Sequence, residues 1–424
     1  MLSFLAALLS RLRQPAPDDL LIPERERRNR RALYWDIAWF GITTGIAINF
    51  LSVYAVRLNA SEVEVGALTA APALLSIFWL VPVGQIIARQ RRLLPLILWS
   101  LFTHRLGYLL MGLLPWLAPR EWVVPGLIAL SALQAIPAGA ANVAFPAMLP
   151  DAIAKERLGR VVGIRNALIG ATSTLAVWGS GPILAALPTP LNYQVLFLIA
   201  FAASLVSTYA VSRLDLPERS VAATATGGTA LADLREGMRR FGADRQFFWF
   251  TLSAVFLHVA LFTPAPLFPI YWVRILGASD SFVSLIATLG GASSVLSALM
   301  MDRVQRRWGN RRVVGIAMLA LAFYPILTAL THTLPPLLGI SVMGGVFAAG
   351  LNICLFHALL QVAPDADRAR FIAIYSMLVN VAIFAAPLFG SWLAGLIGVA
   401  PVLLLAGGLR LISGITFLRA RDAY

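Results

Sequence analysis

The chain has 424 residues, of which 59% are apolar and only 13% charged, and its formal net charge is +14. Soluble domains carry about 25% charged residues, so this chain has too little polar surface to cover itself in water. The positive charge does not point to nucleic acid, because the basic residues are dispersed over short connections and no helix or sheet pattern gathers them on one face.

Residues 1–32 are expected to form a cytoplasmic N-terminal segment. Leu2, Leu5, Leu9 and Leu12 fit one face of an interfacial helix, which Pro15 and Pro17 would end. The positive charge follows this apolar stretch instead of preceding it, unlike a signal peptide. Twelve apolar runs come next, each near the 20 residues a spanning helix needs. They cover 33–56, 65–88, 93–118, 122–149, 161–187, 193–214, 247–273, 282–301, 313–331, 337–362, 371–397 and 400–418. The spacing predicts two six-helix bundles, 33–214 and 247–418, joined by a polar linker at 215–246 and followed by a tail at 419–424.

Charge tests this count independently of hydropathy. Of the 34 Lys and Arg residues, 28 fall in seven segments: the two ends and every second connection. The alternate connections hold only Arg57, Arg120 and Arg274. Connections rich in Lys and Arg stay cytoplasmic, so both termini and the linker are expected inside. The halves echo each other at an offset of about 210 residues: Asn142 precedes Arg160 as Asn352 precedes Arg370. Duplication with a site between the repeats is a recurring transporter design.

A basic motif lies between spans 2 and 3 and again between spans 8 and 9. The second copy runs Asp302, Arg303, Arg306, Arg307, Trp308, Gly309, Asn310, Arg311, Arg312. The first has Gly84, Arg89, Arg91 and Arg92, with Ala88 where an aspartate is expected. With six spans plus six and a central linker, these motifs resemble the major facilitator superfamily over residues 33–418. The resemblance implies an all-α integral membrane fold with twelve transmembrane helices in two six-helix bundles and cytoplasmic termini. It implies that helices 1, 4, 7 and 10 line a central cavity, that 2, 5, 8 and 11 meet between the halves, and that transport proceeds by rocking. Gly84, Arg89, Arg92, Asp302, Arg303, Gly309, Arg311 and Arg312 are the candidate cytoplasmic gate. Plain positive-inside anchoring accounts equally for the arginines, but Asp302 is not needed for anchoring.

Ionisable groups inside the spans cost several kcal/mol unless paired or hydrated. Asp36 and Arg165 sit at similar depth near the inner ends of spans 1 and 5 and are expected to pair; proton carriage by Asp36 is the alternative. Arg105 lies about 18 Å into span 3 at 1.5 Å per residue. It needs a partner within the first half or an anionic substrate, with neighbouring His104 pointing elsewhere. Arg410 is close enough to the inner surface to snorkel. Asp36, Thr43, Arg105, Gln134, Asn142, His258, Asn352 and His357 make up the candidate substrate and proton cavity. Gln134, Ala138 and Asn142 share a helix face. Pro264, Pro266 and Pro269 should break the outer half of span 7.

The expected function is secondary active transport of a small, amphipathic solute across the cell membrane by alternating access, with proton-coupled efflux as the leading form. An uncoupled facilitator and a nutrient uptake carrier are alternatives. From another class come an integral membrane enzyme on lipid-linked substrates and a non-transporting sensor. The expected partners are a small-molecule substrate, the lipid bilayer and protons, with no nucleic acid and a monomeric chain. No phosphate loop is present. Cys354 is the lone cysteine and the four histidines fall in no ligand motif, so no metal site and no cofactor are expected. The expected location is the inner or plasma membrane of a bacterium.

Overall fold

The computed structural model describes residues 22–88, 90–218, 238–364 and 368–419; the expected interfacial helix and Arg89 lie outside them. Every described element is helical, and twelve helices are long and apolar enough to cross a membrane. The first half contains α1 (Glu24–Arg57), α2 (Glu62–Ala88), α3 (Leu93–Leu117), α4 (Arg120–Ala152), α5 (Lys155–Ala186) and α6 (Leu191–Ser212). The second contains α7 (Arg245–Ile275), α8 (Asp280–Trp308), α9 (Asn310–Leu330), α10 (Pro336–Val362), α11 (Arg368–Ile397) and α12 (Val399–Arg419). Hydrogen-bonding every backbone group internally is what permits a chain to cross lipid, and helices do this within one segment.

Helices run past the apolar runs wherever polar residues can stand in the interface. The arginine cluster ahead of the first apolar run, Arg25 to Arg31, lies on α1 itself, which begins directly after Pro23 at the N-cap. There it is functional in packing: Arg25 donates to the Asp215 carbonyl at 2.9 and 3.0 Å, and Arg28 reaches the Asp215 carboxylate at 3.0 Å. These bonds pin the start of the linker beneath α1. The linker is not wholly irregular, since residues 238–243 are helical.

The halves meet through α2 against α11 and α5 against α8. At the end of the molecule away from the termini, called here the far end, one apolar core spans both halves and includes Phe50, Tyr54 and Phe197 with Leu267, Tyr271 and Leu403. At the terminal end the buried apolar residues divide into two separate cores. One holds Leu33, Ile97 and Met148 of the first half, the other Phe247, Met318 and Phe417 of the second. The bundles are therefore joined at one end and parted at the other.

Span 7 breaks as its prolines require. It is α-helical over Arg245–Phe262, restarts at Leu267–Ile270 and closes in a π turn at Tyr271–Ile275. Pro264 has no N–H for the Ala260 carbonyl, and Pro325 has none for that of Leu321. Arg410 fills both gaps. It is 5% exposed and donates to the carbonyls of Leu321 at 2.9 Å and of Ala260 and Leu261 at 3.2 Å. The snorkelling expected for Arg410 is thus replaced by a buried brace tying α12 to α7 and α9, because these orphaned carbonyls offer it more than the interface does.

Arg410→Met should therefore lower the stability of the purified protein by about 3 kcal/mol, the worth of losing bonds to a charged donor. Adding Pro325→Ala, which restores one N–H, should recover part of the loss. Thermal unfolding in detergent measures both.

Candidate functional site

A cavity of about 210 Å³ lies in the first half between α1, α3, α4 and α5. Its polar wall is Asp36, His104, Arg105, Asn142 and Arg165, and Phe40 and Phe145 are among its apolar residues. Two glycines set the width of one side. Gly41 and Gly45 let the α1 backbone rest on α5, and a Cβ on Gly45 would stand 2.6 Å from the Ser173 carbonyl.

That close approach brings Arg165 to Asp36. Both terminal nitrogens of Arg165 lie 3.2 Å from Asp36 Oδ2, and Nη1 also donates to the Leu33 carbonyl at 2.6 Å. Ser207 of α6 donates to Asp36 Oδ1 at 2.6 Å and accepts from Arg105 Nη2 at 2.8 Å. The Arg165 guanidinium sits 4.7 Å from the centre of the Phe145 ring, a cation–π distance. One hydrogen-bonded chain thus runs Arg105, Ser207, Asp36, Arg165 across four helices. Asp36, Arg105 and Arg165 are 4%, 1% and 8% exposed. Two guanidinium groups face one carboxylate, which leaves a buried site of net positive charge.

The other candidates scatter. Thr43 shares the Asp36 face of α1, but that face turns into the bundle, where the hydroxyl donates to the Ala200 carbonyl of α6. Gln134 does not follow Ala138 and Asn142 into the cavity. Eight residues of helix accumulate about a quarter-turn of drift, so Gln134 lines a groove between α2, α3 and α4 and donates to the His104 carbonyl. His104 in contrast does border the cavity, with its ring against Tyr108. His258 is bonded through Nδ1 to the carbonyl of Ala254 one turn earlier and stacks on Phe262. Asn352 is exposed on α10, at the position repeating Asn142. His357 instead joins Gln305 at the terminal end, since it points about 140° away from Asn352.

Among the described residues, the bonds seen for the gate candidates run within one half or to the linker. Asp302 and Arg303 are exposed, and Asp302 has no hydrogen bond or ion pair among the described residues. Arg92 pairs with Glu218 at the start of the linker. Arg311 donates to the Phe417 carbonyl at 2.8 Å, capping the end of α12 within the second half. Arg312 is exposed. Gly84 lies inside α2 and not in a turn, and a Cβ there would meet nothing. Gly309 does make the turn: its φ of 78° joins α8 to α9, a conformation that glycine adopts freely.

Two ion pairs between described residues bridge the halves at the far end. Arg57, closing α1, donates to Asp280 at the start of α8 at 2.6 Å and to the Ala278 carbonyl at 2.6 Å. Asn192 adds a bond to the other Asp280 oxygen at 3.3 Å. Arg274, closing span 7, reaches Glu62 at the start of α2 at 3.4 Å and also the Ala60 carbonyl. These four residues were missed by sequence reasoning although a signal was present. Arg57 and Arg274 are two of the three arginines that break the charge alternation, and they recur, like Glu62 and Asp280, at close to the spacing between the halves.

The family model for the Major Facilitator Superfamily matches residues 37–271 and again 250–423. Among solved structures, the nucleoside transporter NupG superposes with a TM-score of 0.71 at 14% identity, over 93% of this chain and 100% of that one. A D-xylose-proton symporter gives 0.71 at 15% identity, over 93% and 98%. A bacterial homologue of the iron transporter ferroportin, in an inward-facing state, gives 0.68 at 16%, over 92% and 98%. Identities this low establish the common fold alone. No relative was found among curated proteins.

Breaking one partner of a buried pair leaves an uncompensated charge, at a cost of about 3–5 kcal/mol. Arg165→Met should lower the unfolding midpoint accordingly. The double variant Arg165→Met, Asp36→Leu should be more stable than Arg165→Met alone, as thermal unfolding of the three proteins would show.

Proposed function

The chain belongs to the Major Facilitator Superfamily, and from that premise we propose that it carries a small amphipathic solute out of the cell by alternating access. It is a multi-pass membrane transporter of that type and not an enzyme. The observation that carries the mechanism is the uneven joining of the bundles, one common core at the far end and two separate cores at the terminal end.

The arginine-rich connections favour a cytoplasmic terminal end, which makes this conformation the inward-facing one. The pairs Arg57–Asp280 and Arg274–Glu62 are then the lock on the external side. Their arrangement is reciprocal: in each half the arginine closing the first helix of the repeat holds the carboxylate that opens the second helix of the other repeat. Opening outward requires both pairs to part, while Asp302 and Arg303 become available to close the inner side. Among the remaining candidates, Asn142 and Asn352 offer hydrogen bonds to a solute between the bundles. Their aromatic neighbours Phe145 and Phe356 offer apolar contact, which suits an amphipathic cargo and hence export. Asp36 is the carboxylate through which proton coupling would act, because it links both arginines of the cavity. We propose that the monomer is the working unit, each copy holding both halves of the passage.

Arg57→Asp should slow solute flux in proteoliposomes by unlocking the far end, and the swap Arg57→Asp, Asp280→Arg should restore it. Unaltered flux in the single variant would remove the lock. Measuring wild-type flux with and without a pH gradient separates the proton-coupled carrier from an uncoupled facilitator.

A further inference from the structure

Arg105 is only partly accounted for by the buried chain it belongs to. One of its nitrogens, Nη2, donates to Ser207, while Nε and Nη1 are buried with no partner among the described residues. Asp36 is no remedy, because Ser207 and Arg165 already occupy its oxygens. A charged donor held in an apolar bundle without an acceptor is costly, and Arg105 is one of the residues that line the cavity. The geometry identifies the missing acceptor as an anion arriving through that cavity.

The walls define the rest of the ligand. The apolar lining is Ile37 and Phe40 of α1, Leu101 of α3 and Phe145 of α4, with Ala138 and Ala141 making room on α4. Asn142 and Pro146 at the rim are exposed. Helices α1 and α4 touch each other sparingly, so the cleft between them runs from that rim back to α3. At about 210 Å³ the cavity is smaller than the roughly 300–1,000 Å³ of sites for drug-sized ligands. A carboxylate takes charge-assisted hydrogen bonds from a guanidinium, and either free nitrogen of Arg105 can donate one.

We propose that this cleft binds a small amphipathic monocarboxylate, with Arg105 as the anion-binding residue, Phe40 and Phe145 against the apolar body, and Asn142 at the mouth. The cleft itself follows from geometry; that the bound anion is cargo rests on the transport function proposed above. Arg165 stays with Asp36, and Arg105 alone supplies the charge that the ligand neutralises.

The test is equilibrium binding to the purified full chain, read as the shift in thermal unfolding midpoint on titration with benzoate, its neutral isostere benzamide, and chloride. Benzoate should raise the midpoint with concentration, and the other two should not. Arg105→Gln should weaken benzoate binding at least about 30-fold, the scale expected when one partner of a buried charged contact is removed. Because that variant disturbs the chain through Ser207, a second one is needed. Ala138→Leu fills the cleft from α4 at a position with no side-chain hydrogen bond; it should unfold near the wild-type midpoint without ligand and lose the benzoate shift. Equal stabilisation by benzamide, reproduction of the shift by chloride, or an undiminished shift in Ala138→Leu would each overturn the proposal. None of these results touches the flux of the Arg57 and Asp280 variants, so a carrier of neutral solutes would remain distinguishable from a failure of transport itself.

Discussion

Inside a bilayer there is no water to satisfy a polar group, and the placement of the three arginines within the spans follows from that shortage. Arg410 takes up the carbonyls that Pro264 and Pro325 leave without donors. Arg165 meets Asp36 and the Leu33 carbonyl. Arg105 finds one serine and keeps two nitrogens unmet. The first two arginines are explained by protein partners alone, and the third is the place where the protein is incomplete without something from outside.

The same constraint shapes the interface between the bundles. At the far end, where the connections reach polar surroundings, Arg57 and Arg274 each cross to a carboxylate of the other half. Deeper in, the halves meet through small residues and hydroxyls, as where Ser284 donates to the Val177 carbonyl between α8 and α5. Such a contact slides or separates without stranding a charge. Reversible bonding at the ends with weakly polar packing between them suits bundles that tilt against each other as bodies.

Much of this was legible in the sequence. Apolar length and arginine alternation marked the twelve spans, and the prolines marked the break in span 7. Asp36 and Arg165 could be matched because their depths along two helices agree, and depth follows from counting residues. Rotation about the helix axis is harder to count. A few degrees per residue sent Gln134 into a different groove from Asn142, and turned Thr43 toward α6 instead of the passage. The role of Arg410 was hidden for another reason. Its partners are carbonyls orphaned by prolines on two other helices, so no property of its own segment announces them. The far-end arginines were visible as exceptions to the charge pattern, yet their carboxylate partners lie more than 200 residues away in the chain.

The rocking of two bundles about a common middle is tested most directly by distances measured between spin labels, one pair across the terminal end and one across the far end. Labels attached at Asn59 and Gly277, and at Arg160 and Arg370, with Cys354 replaced by serine, would serve. The account predicts opposed changes: in Arg57→Asp, or during turnover, a population with a longer far-end distance appears together with one of shorter terminal-end distance. Two distances that stay fixed, or that lengthen together, would contradict it.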